Sequence, residues 1–102
     1  MIHVIATIEL HDGKKNAFLA EFRALVPTVM AEEGCIEYSP TVDVPTNIPA
    51  QGGERLDVVT IVERWRDLPA LEAHLSAPHM AAYRVRVRDF VKSVKLQILR
   101  PV

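Results

Sequence analysis

The sequence predicts an α+β fold with the element order β-α-β-β-α-β, and three observations carry that prediction. Ile2, Val4, Ala6 and Ile8 alternate with His3, Ile5, Thr7 and Glu9, the period-two pattern of a strand with one apolar face. Phe18, Phe22, Leu25 and Val29 then recur at helical spacing, flanked by Leu19, Val26 and Met30. Leu56–Trp65 is dense in β-branched residues and reads as a central strand, partly covered on both faces. A chain of 102 residues is one domain by length, spanning 1–102.

Each element follows from local chemistry. The first strand runs from Ile2 to Glu9, and His11-Asp12-Gly13 supplies a turn and an N-cap for a helix from about Lys14 to Glu33. Pro27 lacks an N–H and crowds the carbonyl four residues back, which predicts a kink. Gly34 is placed to take the left-handed conformation that ends a helix. Cys35–Val42 is the second strand. Asp43–Glu54, with Pro45, Pro49, Gly52 and Gly53, has no periodicity and is a loop long enough to suggest a role of its own. After the third strand, Asp67 caps a helix with Leu71, His74 and Leu75 on one face. Ala77-Pro78 interrupts it, and Met80, Tyr83, Val87, Phe90 and Val94 continue a helical spacing beyond the break. Arg84–Arg88 also fits a strand by alternation, and Val94–Leu99 is the last strand. This is the ferredoxin-like split βαβ order, with an antiparallel sheet and both helices on one face. A second copy of the chain is the simplest cover for the other face.

Composition excludes several classes. Twelve Lys and Arg against thirteen Asp and Glu give a net charge of −1, which argues against a nucleic-acid partner. Hydrophobic residues at 49% and charged residues at 25% exclude disorder. Cys35 is alone, so there is no intrachain disulfide, and one thiol with four scattered histidines offers no metal ligand set. No apolar run approaches the roughly 20 residues of a membrane span. The start Met1-Ile2-His3-Val4 lacks a secretory signal, so a cytoplasmic protein is expected. Glycine-rich phosphate loops, helix-borne pairs of metal-ligating histidines and Gly-x-Ser-x-Gly elbows are absent from the sequence.

Four groups carry possible chemistry. His74 faces the sheet from its helix: either a core-edge histidine bonded to the backbone or a general base in a helix–sheet pocket. His79, after Pro78, either caps backbone groups or joins His74 at the pocket mouth, capping being favoured. Glu63 and Trp65 share a strand face; Trp65 reads as packing, and Glu63 as an inter-subunit salt-bridge partner ahead of a pocket carboxylate. Tyr38 reads as half-buried with its hydroxyl at the pocket edge. Arg84, Arg86 and Arg88 read as a solvated face, with Arg84 able to orient an acidic substrate. These residues alone reach a small α+β domain with a His-containing pocket and no reaction.

Three segments taken together resemble the antibiotic biosynthesis monooxygenase family: Glu33-Gly34-Cys35-Ile36-Glu37-Tyr38 after a helix, Glu63-Arg64-Trp65 ending a strand, and Ala70–Met80. The resemblance covers nearly the whole chain. It implies a homodimer whose two sheets pack into an α+β barrel, and oxidation of a quinol or hydroxylated aromatic substrate by dioxygen with no metal, flavin or haem. It makes His74 the pocket base, with Trp65, Tyr38 and Arg84 shaping the cavity. The haem-degrading branch carries an Asn on the first strand and a helical His, where this chain has Ala6 and Thr7, and Arg84. Haem degradation is therefore not expected. The Asp43–Glu54 loop is longer than the family's usual link and is expected to form a lid or to reach across the dimer. Two other readings use the same pocket: an isomerase or lyase acting on a ring lactone or enol, and a non-catalytic small-ligand-binding module.

The uncovered sheet face yields the first prediction. Size-exclusion chromatography with light scattering should return twice the monomer mass at micromolar concentration; a monomer would refute the sheet-to-sheet homodimer.

Overall fold

The computed structural model describes residues 1–102. The elements are β1 (Ile2–Leu10), α1 (Lys15–Met30), β2 (Cys35–Thr41), β3 (Val58–Trp65), α2 (Leu68–Leu75), α3 (Pro78–Val87) and β4 (Val91–Leu99). Four strands form one antiparallel sheet in the order β2-β3-β1-β4. This is the expected ferredoxin-like arrangement, with the second helix split at Ala77-Pro78 into α2 and α3.

Strand register sorts side chains between the two faces. Val4 pairs with Glu63 and Ile98, Ala6 with Ile61 and Leu96, and Ile8 with Val59 and Val94. Those residues, with Tyr38 opposite Glu63, share the face that the helices cover. Phe18, Phe22, Leu25 and Val29 of α1 and Leu71, Met80, Tyr83 and Val87 of α2 and α3 complete the core. Rings meet at its centre: Phe22 stacks on Tyr38 at 5.1 Å, and Tyr83 meets Phe22 edge-on at 6.0 Å. The opposite face, with Ile5, Thr7, Val62 and Arg64, carries no helix.

Several boundaries differ from the sequence reading. α1 begins without a side-chain cap from the His11–Gly13 turn and stops at Met30, short of Glu33. It runs through Pro27 for another three residues, because that proline removes only one helical donor. The Arg84–Arg88 run is helix rather than strand to Val87, since Met80, Tyr83 and Val87 bury one face against the core. Phe90 and Val94 lie outside the helix, and β4 begins at Val91, where Leu10 pairs with it across a register shift. β3 begins at Val58 rather than Leu56. The preceding loop is closed by Asp43, whose carboxylate accepts from the Arg55 backbone N–H and from Nε and Nη2 of the same guanidinium, each at 2.9 Å.

Gly34 has φ +83°, and it lies in the turn beyond the helix end rather than at its cap. A Cβ there would lie 2.7 Å from Cβ of Ala70, so the turn after α1 touches the first turns of α2. Gly13, at φ +76°, has open space around it. Gly13→Ala should cost about 1–2 kcal/mol, the left-handed penalty alone. Gly34→Ala should cost more, in the range of about 2–4 kcal/mol, because overpacking adds to the same strain. Equilibrium denaturant unfolding of both variants checks the difference.

Candidate active site

The site is placed by the segment between β3 and α3. Asp67 Oδ1 accepts from the Ala70 backbone N–H at 2.9 Å, starting α2 directly after Trp65. Two helical turns on, His74 returns to lie over Trp65, ring centroids 4.7 Å apart, and edge-on to Tyr38 at 5.3 Å. Arg84 reaches back from α3 and donates through Nη2 to the Leu75 carbonyl at 2.8 Å, satisfying an open acceptor at the end of α2.

A residue that the sequence reading missed organises the centre. Glu32, in the turn between α1 and β2, accepts with Oε2 from His74 Nδ1 at 2.9 Å and from His79 Nε2 at 2.8 Å. A carboxylate only accepts, so these contacts place the His74 proton on Nδ1 and leave Nε2 with its lone pair and no protein partner. His74 is 2% exposed. Burial pushes its pKa below the ordinary histidine value, against the opposing pull of Glu32. The imidazole is therefore held neutral.

An apolar cavity of about 520 Å³ opens beside His74. Ala6, Ile8, Phe22, Ile61, Val94 and Leu96 provide much of its wall, and Tyr38, Glu63, His74, Tyr83, Arg84 and Arg88 bring polar groups to it. Volume and lining suit a small, largely apolar ligand. Glu63 is 5% exposed and accepts from Trp65 Nε1 at 2.9 Å. Burial raises its pKa to about 7, with the indole N–H bond pulling the other way. Burial also pushes the Tyr38 and Tyr83 hydroxyls upward, keeping them phenolic and able to donate. Burial raises the Cys35 thiol to about 11, so it is no thiolate nucleophile.

The structure brings His74, Tyr38, Glu63 and Arg84 to one cavity and corrects the remaining expectations. Glu63 is a cavity carboxyl, not an inter-subunit salt-bridge partner within reach of solvent, because its strand position faces the helices. Tyr38 is buried rather than half-buried. Trp65 does not border the cavity; it lies fully buried behind His74 and braces that ring. His79 neither caps the backbone nor reaches the cavity mouth; it binds Glu32. Two of the four histidines are thus gathered by a carboxylate rather than scattered. Residues of the Asp43–Glu54 loop do not line the cavity, so within one chain the loop is no lid. The available signal for Glu32 was an acidic pair, Glu32-Glu33, just before the left-handed Gly34.

The family model described as "Antibiotic biosynthesis monooxygenase" matches residues 1–86. The chain belongs to the antibiotic biosynthesis monooxygenase family. It is 39% identical to the protein named "Probable quinol monooxygenase YgiN" of Escherichia coli (strain K12), with 99% of this chain and 98% of that protein covered. Among solved structures it is similar to PA3566 from Pseudomonas aeruginosa, with TM-score 0.80 and 29% identity over 99% of this chain and 93% of that one. Rv0793 from Mycobacterium tuberculosis follows at TM-score 0.78 and 27% identity, covering 99% and 94% of the two chains. Membership places this chain among monooxygenases, and no helix is long and apolar enough to cross a membrane.

The raised pKa of Glu63 has a sign that stability measurements can read. Between pH 4.5 and about 7 the folded chain keeps the Glu63 proton while the unfolded chain loses it. Stability contributed by the protonated carboxyl therefore falls as pH rises through that window. Relative to Glu63→Gln, the wild type should lose on the order of 3 kcal/mol between pH 4.5 and 8. Denaturant unfolding of both proteins across that range tests it, and parallel curves would contradict a desolvated carboxyl.

Proposed function

We propose that the chain is a cofactor-independent monooxygenase that oxidises a quinol or hydroxylated aromatic compound with dioxygen, working as a homodimer. The observation that carries this reading is the placement of His74: a buried imidazole with Nδ1 2.9 Å from the Glu32 carboxylate, beside an apolar cavity. Glu32 does not border the cavity, so Nε2 is the ring's remaining polar atom to serve it. Similarity to a protein named as a quinol monooxygenase supports the same substrate class.

The chemistry asks for few protein groups. Nε2 of His74 takes a proton from a substrate hydroxyl, and Glu32 steadies the imidazolium through Nδ1. The Tyr38 and Tyr83 hydroxyls, with Arg84, hold the electron-rich oxyanion in place. The apolar wall excludes water while the anion gives an electron to dioxygen and the two radicals join at a ring carbon. Loss of water from the resulting hydroperoxide leaves one oxygen atom on the ring. A quinol and dioxygen thus become a hydroxyquinone and water, and the electrons come from the substrate itself.

Oxygen uptake on a panel of quinols and hydroxylated polyaromatics, with chelator present, tests the proposal against each substrate's own autoxidation. Conversion without uptake would instead indicate an isomerase or lyase, and binding without conversion a ligand-binding module. His74→Ala should lower turnover by about 10²-fold or more, with His74→Gln nearly as impaired, because glutamine cannot act as the base. Turnover should also fall as pH drops through a value below the ordinary histidine pKa, since burial holds His74 neutral until then. Full activity in both variants would reduce His74 to packing.

A further inference from the structure

We infer that Glu32, His74 and His79 form a binding site for a divalent transition-metal ion such as Zn²⁺, placed behind the active-site histidine. The three ligand atoms, a carboxylate oxygen and two imidazole nitrogens, lie within 4.8 Å of one another. They come from three separate segments: the turn after α1, the end of α2 and the first turn of α3. A two-histidine, one-carboxylate set suits zinc and its neighbours, which accept imidazole and carboxylate at roughly 2.0–2.2 Å.

Taking an ion draws ligand atoms now spread within 4.8 Å into one coordination shell. Oε2 of Glu32 already sits between the two nitrogens at 2.9 and 2.8 Å. Tetrahedral ligation sets neighbouring ligand atoms roughly 3.3 Å apart, so the carboxylate withdraws by about half an ångström and His79 turns inward. The His74 ring is fixed between Trp65 and Tyr38, a rigid anchor for the first ligand. His79 and Glu32 are only partly buried, which leaves a route from solvent.

Metal capture has a consequence for the reaction, which rests on the function proposed above. Without the ion, the His74 proton is on Nδ1 and the Nε2 lone pair is free. With the ion, the Nδ1 lone pair is the ligand and the proton moves to Nε2. The same ring then donates a hydrogen bond to the cavity and no longer accepts a proton. Binding at this site is therefore inhibitory, and no substrate oxygen reaches the ion.

Equilibrium dialysis of the purified, metal-stripped protein against Zn²⁺ tests the site without any activity measurement. The wild type should take up about one ion per chain at micromolar free Zn²⁺, and Co²⁺ should give the visible absorption of a four-coordinate nitrogen and oxygen site. Glu32→Gln and His79→Ala should each weaken uptake at least tenfold, with circular dichroism showing that both remain folded. No uptake, or uptake that both variants retain, overturns the site. Where a quinol is oxidised, Zn²⁺ should slow the wild type at least tenfold and a chelator should restore it. Uptake through the triad with an unchanged rate overturns the inhibitory role alone. Failure to oxidise any quinol bears on the proposed function and leaves the dialysis result standing.

Discussion

The helical layer is narrower than the sheet it covers, and the cavity depends on that mismatch. α1 packs on β2 and against α3, and α2 packs on β3, while no helix packs extensively on β4. Val94, Leu96 and Ile98 point to the same side as Val4, Ala6 and Ile8, yet Val94 remains 54% exposed. Were the helices set one strand further across, they would fill the space between α3 and β4 with ordinary core. Instead Val91, Val94 and Leu96 line an apolar recess together with Phe22 and Ile61. The polar groups reach this recess from the edges of the covered region, where α2 breaks and β3 ends.

Trp65 illustrates how the support of the site differs from the site. It has no surface in the cavity, but its indole N–H holds the Glu63 carboxyl and its ring backs His74. The positions of both side chains thus share one fully buried anchor. Burial of Glu63 works against folding, and the aromatic packing of the core offsets it: Trp65, Tyr38, Phe22 and Tyr83 form one connected chain of ring contacts. A site built this way is rigid at its base and tunable at its rim, where Arg84 and Arg88 stand.

Most of the fold was legible because its signals are local. Alternation marked β1 and β3, Asp67 announced α2 by a cap of its own, and Pro78 divided the second helix. Gly34 was correctly singled out as left-handed, although the close approach of Ala70, which leaves no room for a Cβ there, spans distant sequence. Boundaries failed where local signals conflict. The Arg84–Arg88 alternation is compatible with a strand, and only burial of Tyr83 and Val87 decides for helix. His74 was readable because it follows Leu71 on an apolar helical face. Glu32 was not, because its meaning lies in a hydrogen bond across 42 residues of sequence to an imidazole. Trp65 and Glu63 were correctly placed on one face, but which of them borders the cavity depends on how α2 lies over the strand.

The stacking of His74 on the protein's single tryptophan gives the molecule an internal optical gauge. All indole emission comes from Trp65, and the His74 ring lies 4.7 Å away. A cationic imidazole accepts an electron from an excited indole far more readily than a neutral one. Emission intensity therefore follows the electrical state of His74 itself, with no label attached and without waiting for a substrate to turn over.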